Sequence, residues 1–187
     1  MTSKKLSRVE LIIAGIGGMG VLVAGRLLAS AAFRQYKYIS WMPTYGEARR
    51  GGPSECTVIL SDQEIASPIL DQAQTVMLLD GSQIKAFEAR VRPDGLMIVE
   101  SAGLKDNLQR EDCTLLPVSG LKMAMSIGGM LVNNLILLGV YTELVKPILP
   151  ELIEEELDRT YGDREAVLNR NKQAFRKGLE LAKTVAG

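Results

Sequence analysis

Six residues near the start of the chain, Gly15-Ile16-Gly17-Gly18-Met19-Gly20, limit the possible fold more than any other stretch. An apolar run over residues 9–14, broken only by Glu10, leads into them. Val21, Ala24, Leu27, Leu28, Ala31 and Ala32 then follow at the spacing of one helix face. Strand, glycine turn and helix in that order open a doubly wound sheet. The turn places backbone N–H groups at a helix N-terminus with no side chain in the way, where the partial positive charge suits an oxyanion.

Gly15-x-Gly17-x-x-Gly20 matches the dinucleotide fingerprint letter for letter. That fingerprint also asks for a carboxylate about 20 residues on, at the end of the second strand, to hold a ribose. The second strand here reads Tyr36-Lys37-Tyr38-Ile39-Ser40-Trp41, with no carboxylate before Glu47. Three readings stay open at this point: tight packing of helix on strand with no ligand, an anionic group of another ligand or a partner's backbone, and a nicotinamide or flavin dinucleotide.

The later elements follow from periodicity and punctuation. Residues 36–42 and 54–61 read as strands, separated by a Gly-, Pro- and Arg-dense loop over 43–53. Ile65 starts a short paired segment that stops at Pro68. Residues 75–79 form a buried strand ending at Asp80, and a helix covers 82–90. Arg92-Pro93-Asp94-Gly95 is a turn, and strands follow at 96–99 and 113–118. Helical spacing takes over at 121–126, 130–145, 151–159 and 164–184, with breaks at Pro147 and Pro150. The expected architecture is α/β: a Rossmann-like, three-layer, doubly wound and mostly parallel sheet with a C-terminal helical extension. It forms one domain over residues 1–187, helical from about 119 onward.

Composition removes several kinds of function. The 22 basic and 22 acidic side chains cancel, and no basic run exceeds the doublets Lys4-Lys5 and Arg49-Arg50, so neither nucleic acid nor an anionic membrane is expected as partner. The chain has no histidine and only Cys56 and Cys113, both read as buried thiols in strands. An iron–sulfur cluster or a structural zinc needs about four such ligands, so no metal site is expected within this chain. Without an imidazole, acid–base chemistry is left to carboxylates, Lys or Tyr, and no catalytic residue is assigned. The apolar stretch at 130–141 contains Asn133 and Asn134 and is too short to span a bilayer. The N-terminus has no long apolar segment of signal-peptide type, so a cytoplasmic protein is expected.

Arg49-Arg50-Gly51-Gly52 pairs two guanidinium groups with open backbone donors, a combination able to grip a carboxylate or a phosphate; a solvated turn is the plain alternative. Asp80 either meets a ligand at the carboxyl edge of the sheet or caps the next helix. Of Asn133 and Asn134, at least one amide is expected buried and hydrogen-bonded. Glu154, Glu155 and Glu156 read as a solvated helix face.

Taken in order, the glycine loop, Pro43-Thr44-Tyr45-Gly46, Arg50-Gly51-Gly52-Pro53-Ser54 and Ile65-Ala66-Ser67-Pro68 resemble the gamma subunits of 2-oxoacid:ferredoxin oxidoreductases, the pyruvate/ketoisovalerate oxidoreductase gamma-domain family. Asn133 or Asn134 with Gly139, and the stretch Asn171-Lys172-Gln173-Ala174-Phe175-Arg176-Lys177-Gly178, match its later signals, so the resemblance runs along nearly the whole chain. Pro53 departs from the family's pattern. The resemblance implies an enzyme that converts a 2-oxoacid and coenzyme A to acyl-CoA and carbon dioxide and passes electrons to ferredoxin. The 2-oxoglutarate and branched-chain types are favoured. It implies thiamine diphosphate, Mg²⁺ and iron–sulfur clusters held by partner subunits: alpha, beta and a ferredoxin-like delta. This chain, inactive alone, would help close the coenzyme A side of the site. Gly15, Gly17, Gly18, Gly20, Arg50, Gly51 and Gly52 are then the expected contacts with CoA or a neighbouring subunit. A Rossmann-type NAD(P)-dependent oxidoreductase and a non-catalytic scaffold subunit are the competing readings.

Overall fold

The apolar runs assemble into a six-stranded sheet of order β2-β3-β1-β4-β5-β6. A computed structural model describes residues 6–45, 52–105 and 108–185, without the side chains of Tyr45 and Val185. The elements are β1 (Arg8–Ile16), α1 (Val21–Ala32), β2 (Tyr38–Tyr45), β3 (Pro53–Ser61), β4 (Ala73–Leu78), α2 (Ile84–Phe87), β5 (Val91–Glu100) and β6 (Thr114–Val118). Four helices follow: α3 (Gly120–Ile127), α4 (Asn133–Val145), α5 (Pro150–Tyr161) and α6 (Glu165–Val185). β1, β4, β5 and β6 pair in parallel, whereas β3 lies antiparallel between β1 and β2. One strand in six is therefore reversed, and the sheet is mostly parallel.

β1 is buried on both faces, as its near-continuous apolar run requires. Leu11 and Ile13 join the core beneath α1 and α4–α6, while Ile12 and Ala14 face a smaller core closed by Ile84, Phe87 and Leu70. The helical cover is unequal: α1 packs on β1, β2 and β3, α4 on β5, and α5 and α6 join the same layer. Among the described residues the other face has only α2, a single turn flanked by 3₁₀ turns at Gly81–Gln83 and Glu88–Arg90. Glu10, the one carboxylate in β1, is buried but paired: its Oε1 lies 2.7 Å from Arg8 Nε and its Oε2 2.5 Å from Arg92 Nη2. Left unpaired, such a charge would cost several kcal/mol.

Several local expectations shift. The Arg92–Gly95 turn lies inside β5 as a bulge, with Asp94 at φ 60° and the register against β4 displaced there. Pro43, Thr44 and Tyr45 extend β2 and pair with Cys56, Glu55 and Ser54; a proline is tolerated because this is an edge strand. Ile65 is in no strand, and the 82–90 segment divides into three short turns rather than one helix. Cys113 is half-buried, one residue before β6. In α5, Glu154 bonds Arg176, Glu155 pairs with Arg34, and Glu156 is buried against Arg159 instead of solvated.

α4 is buried from Asn133 through Thr142. It crosses α6 at two glycines. A Cβ on Gly178 would lie 2.1 Å from the Ile136 carbonyl oxygen, and one on Gly139 would lie 2.2 Å from that of Phe175. The backbones touch there, and no other residue type fits without moving a helix.

Candidate functional site

At the carboxyl edge of the parallel strands, β1 runs into the glycine loop, Asp80 follows β4 by two residues, and β5 ends in Glu100. The glycines have separate tasks. A Cβ on Gly15 would crowd Leu79 Cβ at 3.1 Å and Val21 Cγ2 at 3.2 Å, so that glycine lets α1 sit close on the sheet. Gly20, at φ 80°, gives its Cβ position to Asn134, whose Nδ2 would be 2.5 Å away and donates to the Gly20 carbonyl at 3.1 Å. The Asn134 Oδ1 accepts from its neighbour's N–H, Leu135, at 2.9 Å. Gly17 donates its N–H to the carbonyl of Gly52 at 2.8 Å, tying the glycine loop to the start of β3. Gly18, at φ 98°, has open space where a side chain would be.

The loop thus has two sides. One meets Gly52; Arg49, Arg50 and Gly51, singled out in the sequence, lie outside the described residues. The other borders a cavity of about 370 Å³, lined by Gly18, Met19, Leu79, Leu121 and Leu131 with the polar residues Asp80, Glu100 and Asn133 among them. Each polar group there is differently employed. Asp80 Oδ1 accepts the Ser82 N–H at 2.8 Å, the capping role, one of its two readings. Glu100, buried, takes the Ala102 N–H on Oε1 at 2.9 Å and the Leu121 N–H on Oε2 at 2.8 Å. Its carboxylate thus fills the position at the start of α3 where an external anion would otherwise sit. Asn133 is 6% exposed, and its Oδ1 has no hydrogen-bond partner. At the rim Met130 and Leu131 are 60% and 77% exposed.

A dinucleotide does not fit this loop. The Gly17 N–H is already bonded, Asn134 occupies the space over Gly20, and β2 is separated from β1 by β3, so its end is remote from a ribose held at the loop. Cys56 supplies no nucleophile either. It lies under α1 with its sulfur 3.6 Å from the Val21 carbonyl, and burial pushes its thiol up to about 12 despite the Trp41 indole N–H beside it. Among the described residues no group of three or more Cys, Asp or Glu is arranged to hold a metal, and no helix is long and apolar enough to cross a membrane.

Residues 10–181 match the family described as pyruvate ferredoxin/flavodoxin oxidoreductase. The chain belongs to that family. It is 28% identical over 176 residues to ketoisovalerate oxidoreductase subunit VorA of Methanothermobacter marburgensis, covering 94% of this chain and 37% of the relative. The chain therefore spans little more than a third of the ketoisovalerate relatives it matches. It is also 28% identical over 180 residues to 2-oxoglutarate synthase subunit KorC of Methanocaldococcus jannaschii, covering 94% of this chain and 95% of that subunit. A 2-oxoglutarate:ferredoxin oxidoreductase from Magnetococcus marinus, solved with 2-oxoglutarate, coenzyme A and succinyl-CoA bound, shares the fold at a TM-score of 0.88 and 22% identity. The match covers 96% of this chain and 32% of that one.

Within this oxidoreductase family member the structure brings Gly15, Gly17, Gly18, Gly20 and Gly52 together at one sheet edge. Sequence reasoning passed over Glu100 and the rim residues Met130 and Leu131. A signal for Glu100 existed: like Asp80, it is a carboxylate at the carboxyl end of a buried parallel strand, where α/β sheets place their sites.

Proposed function

We propose that this chain is the gamma subunit of a 2-oxoacid:ferredoxin oxidoreductase. The complex would convert a 2-oxoacid and coenzyme A to acyl-CoA and carbon dioxide, and reduce two one-electron ferredoxins. The observation that carries the reading is the end-to-end match to a separate KorC subunit, in a chain whose own crevice holds no imidazole, thiol or cluster ligand. Chemistry of this kind needs groups from neighbours. 2-Oxoglutarate is the favoured substrate because the full-length relative is named for it, with a branched-chain 2-oxoacid next because of the VorA match.

Within the complex, the Gly52 side of the glycine loop, together with Arg50 and Gly51 that precede Gly52 in the sequence, would meet the coenzyme A phosphates; the acid-lined side would repel them. The assay is 2-oxoglutarate-dependent reduction of ferredoxin or viologen by the co-expressed complex, with and without this chain. Activity only when the chain is present supports the reading. Oxidation of a substrate with NAD by the chain alone overturns it. Arg50→Ala separates the roles: a raised KM for coenzyme A in an intact complex marks a CoA contact, whereas loss of assembly marks a scaffold.

A further inference from the structure

The turn between β1 and α1 has little to hold it in place by itself. Three of its residues 17–20 are glycine, which gives up more backbone freedom on ordering than any other residue. β1 is paired on both sides, with β3 and β4, and α1 is packed on the sheet by its buried face. The turn between them depends on ties from elsewhere. Among the described residues it has two: the Gly17 N–H on the Gly52 carbonyl at 2.8 Å, and the Asn134 amide on the Gly20 carbonyl at 3.1 Å.

Asn134 stands at the start of α4, 114 residues from Gly20, and is 3% exposed. Its orientation is forced. Oδ1 takes the Leu135 N–H at 2.9 Å, which turns Nδ2 toward Gly20; the reversed amide would set acceptor against acceptor and donor against donor. The Gly20 carbonyl also takes the Ala24 N–H at 3.0 Å, so one oxygen is shared by the turn, α1 and α4. Packing adds to the bond, since a Cβ on Gly20 would meet Nδ2, Cγ and Cβ of Asn134 within 3.4 Å.

We infer that Asn134 is a positioning residue for coenzyme A binding: it fixes the glycine turn, and through Gly17 the Gly52 end of β3, without touching the ligand. Freed from Asn134, Gly20 leaves its φ of 80° and the turn divides its time among conformers. Only the conformer that keeps Gly17 on Gly52 presents the binding edge, so apparent affinity falls by the fraction of time it is populated. The inference rests on the reading that the Gly52 side meets coenzyme A.

The test is steady-state kinetics of the co-expressed complex carrying Asn134→Ala or Asn134→Leu, with coenzyme A and the 2-oxoacid varied separately. Both variants lose the donor, and leucine keeps the side-chain bulk. Each is expected to raise the KM for coenzyme A about three- to tenfold, as a conformer populated a third to a tenth of the time requires, with kcat and the KM for the 2-oxoacid unchanged. Amide exchange in the same complexes should quicken over residues 15–20 and stay unchanged in β4 and β5. Val91→Ala, a cut in the smaller core, is the control: it should lower the melting temperature and leave the KM for coenzyme A alone. Assembled Asn134 variants with a wild-type KM for coenzyme A overturn this inference alone when Arg50→Ala still raises it. So do an equal rise in both KM values, the same rise in Val91→Ala, or a raised KM with unchanged exchange in the turn. Failure of both Asn134 variants to assemble overturns it too, because the bond is then a folding tie and nothing more. If neither Arg50→Ala nor the Asn134 variants alters the KM for coenzyme A, the placement of coenzyme A falls and this inference with it. A wild-type complex with no 2-oxoacid-dependent activity overturns the functional reading as a whole.

Discussion

Replacing Gly178 by alanine reverses sign between local and tertiary reasoning. Gly178 sits inside α6, where exchanging glycine for alanine gains about 1 kcal/mol of helix propensity. At the crossing with α4, however, the new Cβ would fall 2.1 Å from the Ile136 carbonyl oxygen and 2.9 Å from Gly139 Cα. Both obstacles are backbone and cannot rotate away. Ordinary contact begins near 3.4 Å, so the helices must part by roughly 1 Å. A gap of that size forfeits about a quarter to a half of each van der Waals contact it opens, along a stripe that includes Ala174, Phe175 and Ala182. Overpacking of this kind costs about 1–3 kcal/mol and sometimes more, and an unyielding backbone contact belongs at the top of that range. Net of propensity, the loss is about 2 kcal/mol, which at roughly 2–4 °C per kcal/mol for a chain of this size lowers Tm by about 4–8 °C. Urea and thermal melts of Gly178→Ala, Gly139→Ala and the double variant measure it. Because both substitutions push apart the same crossing, the double should cost less than the two singles together. An alanine variant as stable as the wild type, or more so, refutes the close crossing.

Asn134→Ala removes the donor to the Gly20 carbonyl and empties the space that glycine vacates, and should lower stability by about 1–3 kcal/mol in urea melts; Asn134→Leu should not recover it, since it restores volume without the bond. A thiol reagent at pH 8 should modify Cys113 alone in the native chain and both cysteines in denaturant, because Cys56 is buried under α1. Cys56 also sets a pH dependence. Its pKa rises from 9.0 to about 12 on folding, so it costs nothing below pH 9 and lowers stability as pH climbs from 9 towards 12. The slope approaches about 1.4 kcal/mol per pH unit, and Cys56→Ala should flatten the urea midpoint between pH 9 and 10. A midpoint with the same slope in that variant refutes the assignment.

Where sequence reasoning succeeded, the information was local. The run at 9–14, the glycine turn and the spacing of Val21 through Ala32 each involve residues within a few turns of one another, and β1 and α1 follow directly. The Pro93-Asp94-Gly95 chemistry located a turn, although not that β5 would absorb it as a bulge. The fingerprint glycines lie at the carboxyl edge of the parallel strands. Their meaning did not lie there: Gly20 is explained by Asn134 and Gly139 by Gly178, residues far along the chain whose approach no periodicity encodes.

By itself, then, the sequence determined the order of strands and helices, the place of the loop, and the absence of imidazole and cluster ligands in this chain. Only the tertiary structure decided that β3 reverses between β2 and β1, that Glu100 closes the start of α3, and that an acid-lined crevice opens beside Gly18. Periodicity reports which face of a segment seeks burial. Which distant segment answers it depends on pairing across the sheet and on backbones close enough that a single Cβ would keep them apart.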